Sequence, residues 1–339
     1  MPDLPAPRHD LTAFVSAVGG IIDGCRLDGV GRYRRYRHPG EGGSNDMSLN
    51  PYGCADAANL LYTLGRFPAD AGERAAWVEA MRGMQDPKSG LFEEATHHTI
   101  HVTAHVVAAL ELFEARPLHP LTALHPQLDH DALRAFLNEL DWGNPWPMSH
   151  RGAGLYAALV NAGEADPAWE RAYFAWLWSE VDPESGMWRK GHTHTRVGPR
   201  QGRFPHLAGT FHYLFNLEHA HQPLRHPDRL IDTCLEIAAE EAWLTSSLSF
   251  APVDWIFAVN RARRQTTHRS EEATEALRAF GDRFIGSVLA ADAETSGPLN
   301  DLHTLFGVVC GLAELQAALP GEVHTPRPLR LVLDRRPFI

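Results

Sequence analysis

The 339-residue chain carries a net charge of −11 and is 44% hydrophobic, which allows a sizeable core and argues against nucleic acid as the main partner, because phosphate binding needs a basic surface. No run of about eighteen apolar residues exists, and Met1-Pro-Asp-Leu-Pro lacks the charged start and apolar core of a secretion signal, so neither a membrane nor export is expected. Cys25, Cys54, Cys234 and Cys310 show no Cys-x-x-Cys spacing and are expected as buried thiols in a reducing, cytoplasmic setting.

Amphipathic and nearly all-apolar stretches alternate along the chain. Leu11 to Ile22 leads through a long loop, Cys25 to Asn50, into an apolar helix over Ala55 to Leu64 that opens on Tyr52 and Asp56. Gly72 to Met84 leads through Gln85 to His98 into Val102 to Phe113, opened by His101. His130 to Leu140 precedes Ala153 to Val160, opened by His150. Pro167 to Val181 runs through the loop Val181 to Phe204 into Leu207 to Leu217, opened by His206. Pro227 to Ala242 precedes Val253 to Val259, opened by Asp254, and Ser270 to Val288 precedes Leu305 to Leu315, opened by His303. The polar openers recur at steps of about fifty residues, which marks a repeated supersecondary unit. A stretch apolar all round is a buried helix and one with a charged face an outer helix. The pattern predicts an all-α (α/α)6 toroid of six helical hairpins, a single domain over 1–339. A short extended tail from about residue 322 to 339 closes it, with Pro328 to Leu333 as its extended part.

In such a ring every inner helix starts at the same mouth, where unpaired N–H groups and helix dipoles favour anions and sugar or carboxylate oxygens. Proton transfer there falls to His101, His150 or His206, with Asp254 or Asp56 as the second acid or base. Tyr52, Trp146, Trp188 and Trp255 are expected to line the cavity and stack on substrate, joined by His303. Arg35 and Arg203, from loops rich in arginine, together with Arg151 next to His150, are expected to make the rim cationic and to neutralise an anionic substrate. Asp301 reads as a helix cap. No cofactor is expected. The one-turn spacing of His101 and His105 and the His192-x-His194 pair nevertheless allow a divalent metal.

Gln85-Asp-Pro-Lys-Ser-Gly-Leu-Phe92 and Asp182-Pro-Glu-Ser-Gly-Met-Trp188 are copies of one turn, with a third, degraded copy at Asp292 to Leu299. They resemble the Q…G-x-W/F turn of the terpenoid cyclase and protein prenyltransferase toroids, and Gly202-Arg-Phe-Pro-His-Leu-Ala-Gly-Thr210 is similar to a helix opening of prenyltransferase β-subunits. The D-P-x-S/T-G-x-W/F form also looks like a turn of sugar-acting (α/α)6 enzymes, such as unsaturated glucuronyl hydrolases and sugar 2-epimerases. The resemblance implies the toroid. The chain departs from these families in their chemistry: it has no Asp-x-Asp-Asp acid, and Cys310 with His303 does not reproduce the prenyltransferase zinc set. Of the tryptophan- and glycine-rich segment of the glucuronyl hydrolases only Trp142-Gly-Asn144 is echoed.

The expected function is a carbohydrate-active enzyme, a hydrolase, lyase or epimerase acting on an acidic or oligomeric sugar by His/carboxylate acid–base chemistry. Two alternatives are a cyclase or transferase handling prenyl diphosphates and a non-catalytic ligand-binding toroid, since fold alone does not determine function.

Overall fold

The computed structural model describes residues 7–198, 202–335 and 338. Twelve α-helices lie among them: α1 Thr12–Cys25, α2 Pro51–Thr63, α3 Ala71–Arg82, α4 Thr99–Leu112, α5 His130–Asn138, α6 Pro145–Ala162, α7 Pro167–Glu180, α8 Phe204–His219, α9 Pro227–Glu240, α10 Ala251–Arg263, α11 Ser270–Ala290 and α12 Leu302–Ala318. Among the described residues the fold is thus all-helical but for two dipeptide strands.

The even-numbered helices are the apolar set. In α8 every residue from Phe204 to Leu217 is buried, whereas the amphipathic α5 buries only Leu133 and Leu137. α2 packs on α4, α4 on α6, α6 on α8, α8 on α10, α10 on α12 and α12 back on α2. Odd-numbered helices flank this circuit, with α3 against α2 and α4, α9 against α10, and α11 against α10 and α12. A helix with neighbours on every side must be apolar all round, so the sequence pattern and the packing have one cause.

Helix starts follow local chemistry. Asn50 caps α2 by accepting from the Gly53 N–H, Asp301 caps α12 by accepting from His303, and Pro51 occupies the first position of α2, where its missing N–H costs nothing. Two expected openers are corrected: α6 begins at Pro145 and α2 at Pro51, so His150 and Asp56 are each the sixth residue of their helix, in its second turn and not its first.

The repeated turns are structural copies as well. Asp86 Oδ1 accepts from the N–H groups of Lys88 and Ser89, and Asp182 Oδ1 from those of Glu184 and Ser185. Gly90 and Gly186 then take φ of 76° and 72°, a left-handed conformation natural to glycine. Thr103 and Thr210 on the following inner helices accept the Phe92 and Trp188 N–H groups at 3.0 and 3.1 Å. A Cβ on Gly90 would stand 1.9 Å from the Pro120 carbonyl oxygen. Gly90→Ala is therefore expected to destabilise by more than about 1 kcal/mol, read as a lower urea midpoint at unchanged m-value.

The sequence predicts the tail as an extended closing segment. Val323–His324 pairs in parallel with His9–Asp10, residues 328–331 form no regular element, and Val332–Asp334 forms a turn of 3-10 helix within the stretch expected to be extended. The segment crosses the C-terminal ends of the inner helices: the Arg330 N–H donates to Thr63, Arg335 pairs with Glu111, and Asp334 pairs with Arg261 and Arg264. Beyond it the Phe338 ring is fully buried, 5.0 Å from the His101 ring and 5.8 Å from that of His212. The tail is a floor under the helix circuit. No described helix is long and apolar enough to cross a membrane.

Candidate active site

Within the circuit, near the starts of the inner helices, lies a cavity of about 130 Å³. Five imidazoles line it, His97, His101, His150, His212 and His303, together with Asp254 and the rings of Trp146, Phe211 and Phe250. A larger groove of about 370 Å³ runs along the outer surface between α5 and α7, but none of the converging imidazoles reaches it.

One wall is a carboxylate–imidazole relay. Asp56 on α2 is fully buried, and its Oδ1 accepts from His105 Nε2 at 2.8 Å and from His303 Nδ1 at 3.2 Å. Burial opposes its ionisation, but His303 and His105 outweigh burial and hold the carboxyl well below the usual carboxylate range. With Nδ1–H of His303 spent on Asp56, its Nε2 keeps a lone pair, and burial keeps that imidazole less basic than in water. A carboxylate that sets the tautomer and orientation of a histidine is the arrangement of a general base.

Asp254, in the first turn of α10, is 1% exposed, and neither of its oxygens has a hydrogen-bond partner among the described residues. Burial raises its pKa well above the ordinary value. A carboxyl that holds its proton more tightly than usual and an oriented imidazole thus share one cavity, with proton affinities pushed away from their solution values.

The remaining wall holds His101, His150 and His212, whose rings are burdened by desolvation: the first two titrate well below the usual imidazole range and His212 is pushed down to about 3. His101 Nδ1 is hydrogen-bonded to the Tyr52 hydroxyl. Two sets of side chains bring ligand-type atoms within 4.8 Å of one another, His101/His150/His212 and Asp56/His105/His303, and both are geometrically able to hold a metal ion.

Of the expected site residues, His101, His150, Asp254, Trp146 and His303 line the cavity, and Asp56 and Tyr52 stand directly behind it. His206 does not line it: its Nε2 faces the Thr195 carbonyl at 3.0 Å in the preceding loop. Trp188 and Trp255 face away, donating from their indole N–H groups to Leu177 and Cys234 at 2.8 and 2.7 Å. Trp255 follows Asp254 by one residue, a rotation of about 100° on a helix, so an inward Asp254 sends Trp255 outward onto Phe280, 4.3 Å away.

The expected cationic rim is largely neutralised. Arg35 makes two hydrogen bonds to Asp301, at 2.9 and 2.8 Å, and lies 3.5 Å from Glu94. Arg203 pairs with Glu236 on α9 at 2.9 Å. Arg189 and Lys190 share Glu180. Arg151 differs, for it makes no ion pair among the described residues and lies over the Phe136 ring. Glu94 completes a chain from Arg35 to His97: burial opposes its ionisation, and hydrogen bonds from His97 and Thr96 bring its carboxyl down to about 2.

Sequence reasoning missed His212 altogether and His97 as a wall residue. His212 sits in the third turn of a helix read as plain core, and a lone imidazole within Phe211-His212-Tyr213 was its only signal. The four cysteines are free and buried, as expected. The one-turn pair His101 and His105 does not act together: His101 joins the triad with His150 and His212, and His105 binds Asp56.

Comparison with known proteins adds no relative: no family model matches the sequence, and no curated protein or solved structure matches it significantly.

Proposed function

We propose that the helix circuit is an (α/α)6 toroid, six helical hairpins around one cavity, and that this cavity is the active site of an enzyme performing acid–base chemistry on a small sugar, acidic at or near its reacting end. The observation that carries this reading is Asp254, an unpartnered buried carboxyl sharing its cavity with the Asp56-anchored His303. Such a group is costly to bury and makes no structural bond in return. Its use is as a proton donor, with His303 Nε2 as acceptor across the cavity, the pairing that hydrolase, lyase and epimerase chemistry share. Arg151, free of an acidic partner among the described residues and near His98, whose proton affinity is lowered first by burial and then by this cation, is the cation we assign to a substrate carboxylate.

Size narrows the substrate. At about 130 Å³ the cavity is well below the roughly 300–1,000 Å³ of most ligand clefts, so a single sugar unit enters and any longer chain stays at the mouth. A prenyl chain fits this small, imidazole-lined space poorly.

The test is turnover of uronic and neutral mono- and disaccharides by the purified protein, followed as hydrolysis, elimination or epimerisation. Turnover of a uronide that drops at least about 100-fold in His303→Gln, at an unchanged melting temperature, supports the assignment. Absence of both turnover and sugar-dependent thermal stabilisation overturns the carbohydrate reading, and full activity in His303→Gln overturns the assigned base.

A further inference from the structure

We propose that His101, His150 and His212 form a binding site for one divalent transition metal of zinc type, set in the same cavity. The inference does not depend on the substrate or on His303 as the base; it shares with the proposed function only Asp254, taken here as an unpartnered buried carboxyl facing the same cavity.

The three imidazoles come from α4, α6 and α8, consecutive members of the inner circuit, at the third, sixth and ninth residues of their helices. Staggered in sequence, they converge in space: the His101 and His150 rings lie 4.1 Å apart and those of His150 and His212 4.5 Å apart. One nitrogen from each lies within 4.8 Å of the others. Zinc–imidazole bonds of about 2.0–2.1 Å place ligand nitrogens about 3.3 Å apart in a tetrahedron, a contraction that rotation of the rings supplies.

Hydrogen bonding prepares the lone pairs. Ser149 Oγ gives its proton to the Trp146 carbonyl at 2.6 Å, so toward His212 it must accept, and His212 Nδ1 donates to it at 3.0 Å. Nε2 of His212 is left as a bare lone pair. His101 Nδ1 is hydrogen-bonded to the Tyr52 hydroxyl, and in the tautomer whose Nδ1–H donates to that oxygen Nε2 is the free lone pair. Ligating histidines are commonly held through their other nitrogen in this way. His150 has no hydrogen-bond partner among the described residues and faces the cavity. His101 and His212 are buried and His150 is partly exposed to the cavity, and nitrogen atoms crowded there are best satisfied by a shared partner.

Asp254 is the independent sign of a ligand. Both its oxygens are buried and unpartnered, in the cavity the triad faces. Three histidines leave a coordination position open, as in catalytic zinc sites, and that position shares the cavity with this carboxyl. The Phe338 ring packs beside His101 and His212, 5.0 and 5.8 Å from their rings. In the second set, Asp56/His105/His303, Asp56 Oδ1 already accepts both N–H groups while its Oδ2 is buried without a partner among the described residues; two of its three ligand-type groups are thus spent on each other, and we place the ion at the all-imidazole triad. Imidazole-only ligation favours Zn²⁺, Co²⁺, Ni²⁺ or Cu²⁺ over Mg²⁺ or Ca²⁺.

The experiment uses full-length protein freed of metal by chelator and titrated with Co²⁺, followed by visible absorption and calorimetry. The expected result is one Co²⁺ per chain with ligand-field bands, displaced by Zn²⁺ and not by Mg²⁺. His150→Ala and His212→Gln, shown to be folded by circular dichroism, should each weaken binding more than about 100-fold, and Tyr52→Phe about 10- to 100-fold. His206→Ala, outside the cavity, should bind as wild type. Folded wild-type protein that binds no Co²⁺ overturns the site, as does binding unchanged in His150→Ala and His212→Gln, or binding lost in His303→Gln but kept in those two. Sugar turnover lost in His303→Gln with the Co²⁺ spectrum intact sustains both readings. A silent Co²⁺ titration beside intact sugar turnover removes the metal alone.

Discussion

Asp254→Asn is expected to lower turnover by about 100- to 10,000-fold while making the protein more stable. The two effects have one origin. Asp254 is 1% exposed, its oxygens have no partner among the described residues, and burial raises its proton affinity well above the ordinary value of 3.8. The amide keeps the shape of the carboxyl and cannot ionise, so the cost of burying a group that would otherwise be charged disappears, a gain of about 0.5–2 kcal/mol. The sign of the pH dependence follows by linkage. The folded chain binds the Asp254 proton more tightly than the unfolded chain, so the wild type loses stability as pH rises from the ordinary carboxylate range toward the raised value. Asp254→Asn lacks that slope, and its advantage should widen as pH rises from about 4. Urea unfolding at several pH values with chelator present, beside sugar turnover, measures both. A variant that is less stable at neutral pH would show that Asp254 has a structural partner.

The second large effect is expected at the floor, far from the cavity. The Arg261 guanidinium is 1% exposed and is held by Glu314 through two bonds, 3.0 and 2.8 Å, with Asp334 beside it and the Phe257 ring 3.8 Å beneath. Glu314 also accepts from Asn260 at 3.0 Å. Glu314→Ala leaves a buried cation short of its main counter-charge and should destabilise by about 3–5 kcal/mol. Arg261→Met with Glu314→Leu removes both charges and should return close to wild-type stability, because the desolvation cost of the pair vanishes with it. Urea denaturation of Arg261→Met, Glu314→Leu and the double closes the cycle, with Glu314→Ala measured beside it. A double variant as unstable as Glu314→Ala would mean that the network anchors the tail through Asp334 rather than balancing its own charge.

The sequence by itself determined the all-helical class, the alternation of buried and amphipathic helices, and the polar openers His101, His303 and Asp254. These are properties of local periodicity: a helix packed on every side is apolar all round, so a polar group near its start stands out. The repeated Asp-Pro-x-Ser-Gly turns were legible for the same reason, since an Asp that accepts neighbouring N–H groups and a glycine at positive φ are features of a few consecutive residues. Three things were decided only by the tertiary structure. Helix stagger brings the third, sixth and ninth residues of α4, α6 and α8 to one point, and no spacing along the chain encodes the relative heights of neighbouring helices. Rotation about the helix axis turned Asp254 inward and Trp255 outward, a choice set by what packs outside α10. Long-range pairing neutralised the arginines, as in Arg35 and Asp301, which lie 266 residues apart in sequence. An isolated arginine in a loop reads as a free cation, because its partner is determined by which loops the closed circuit brings together.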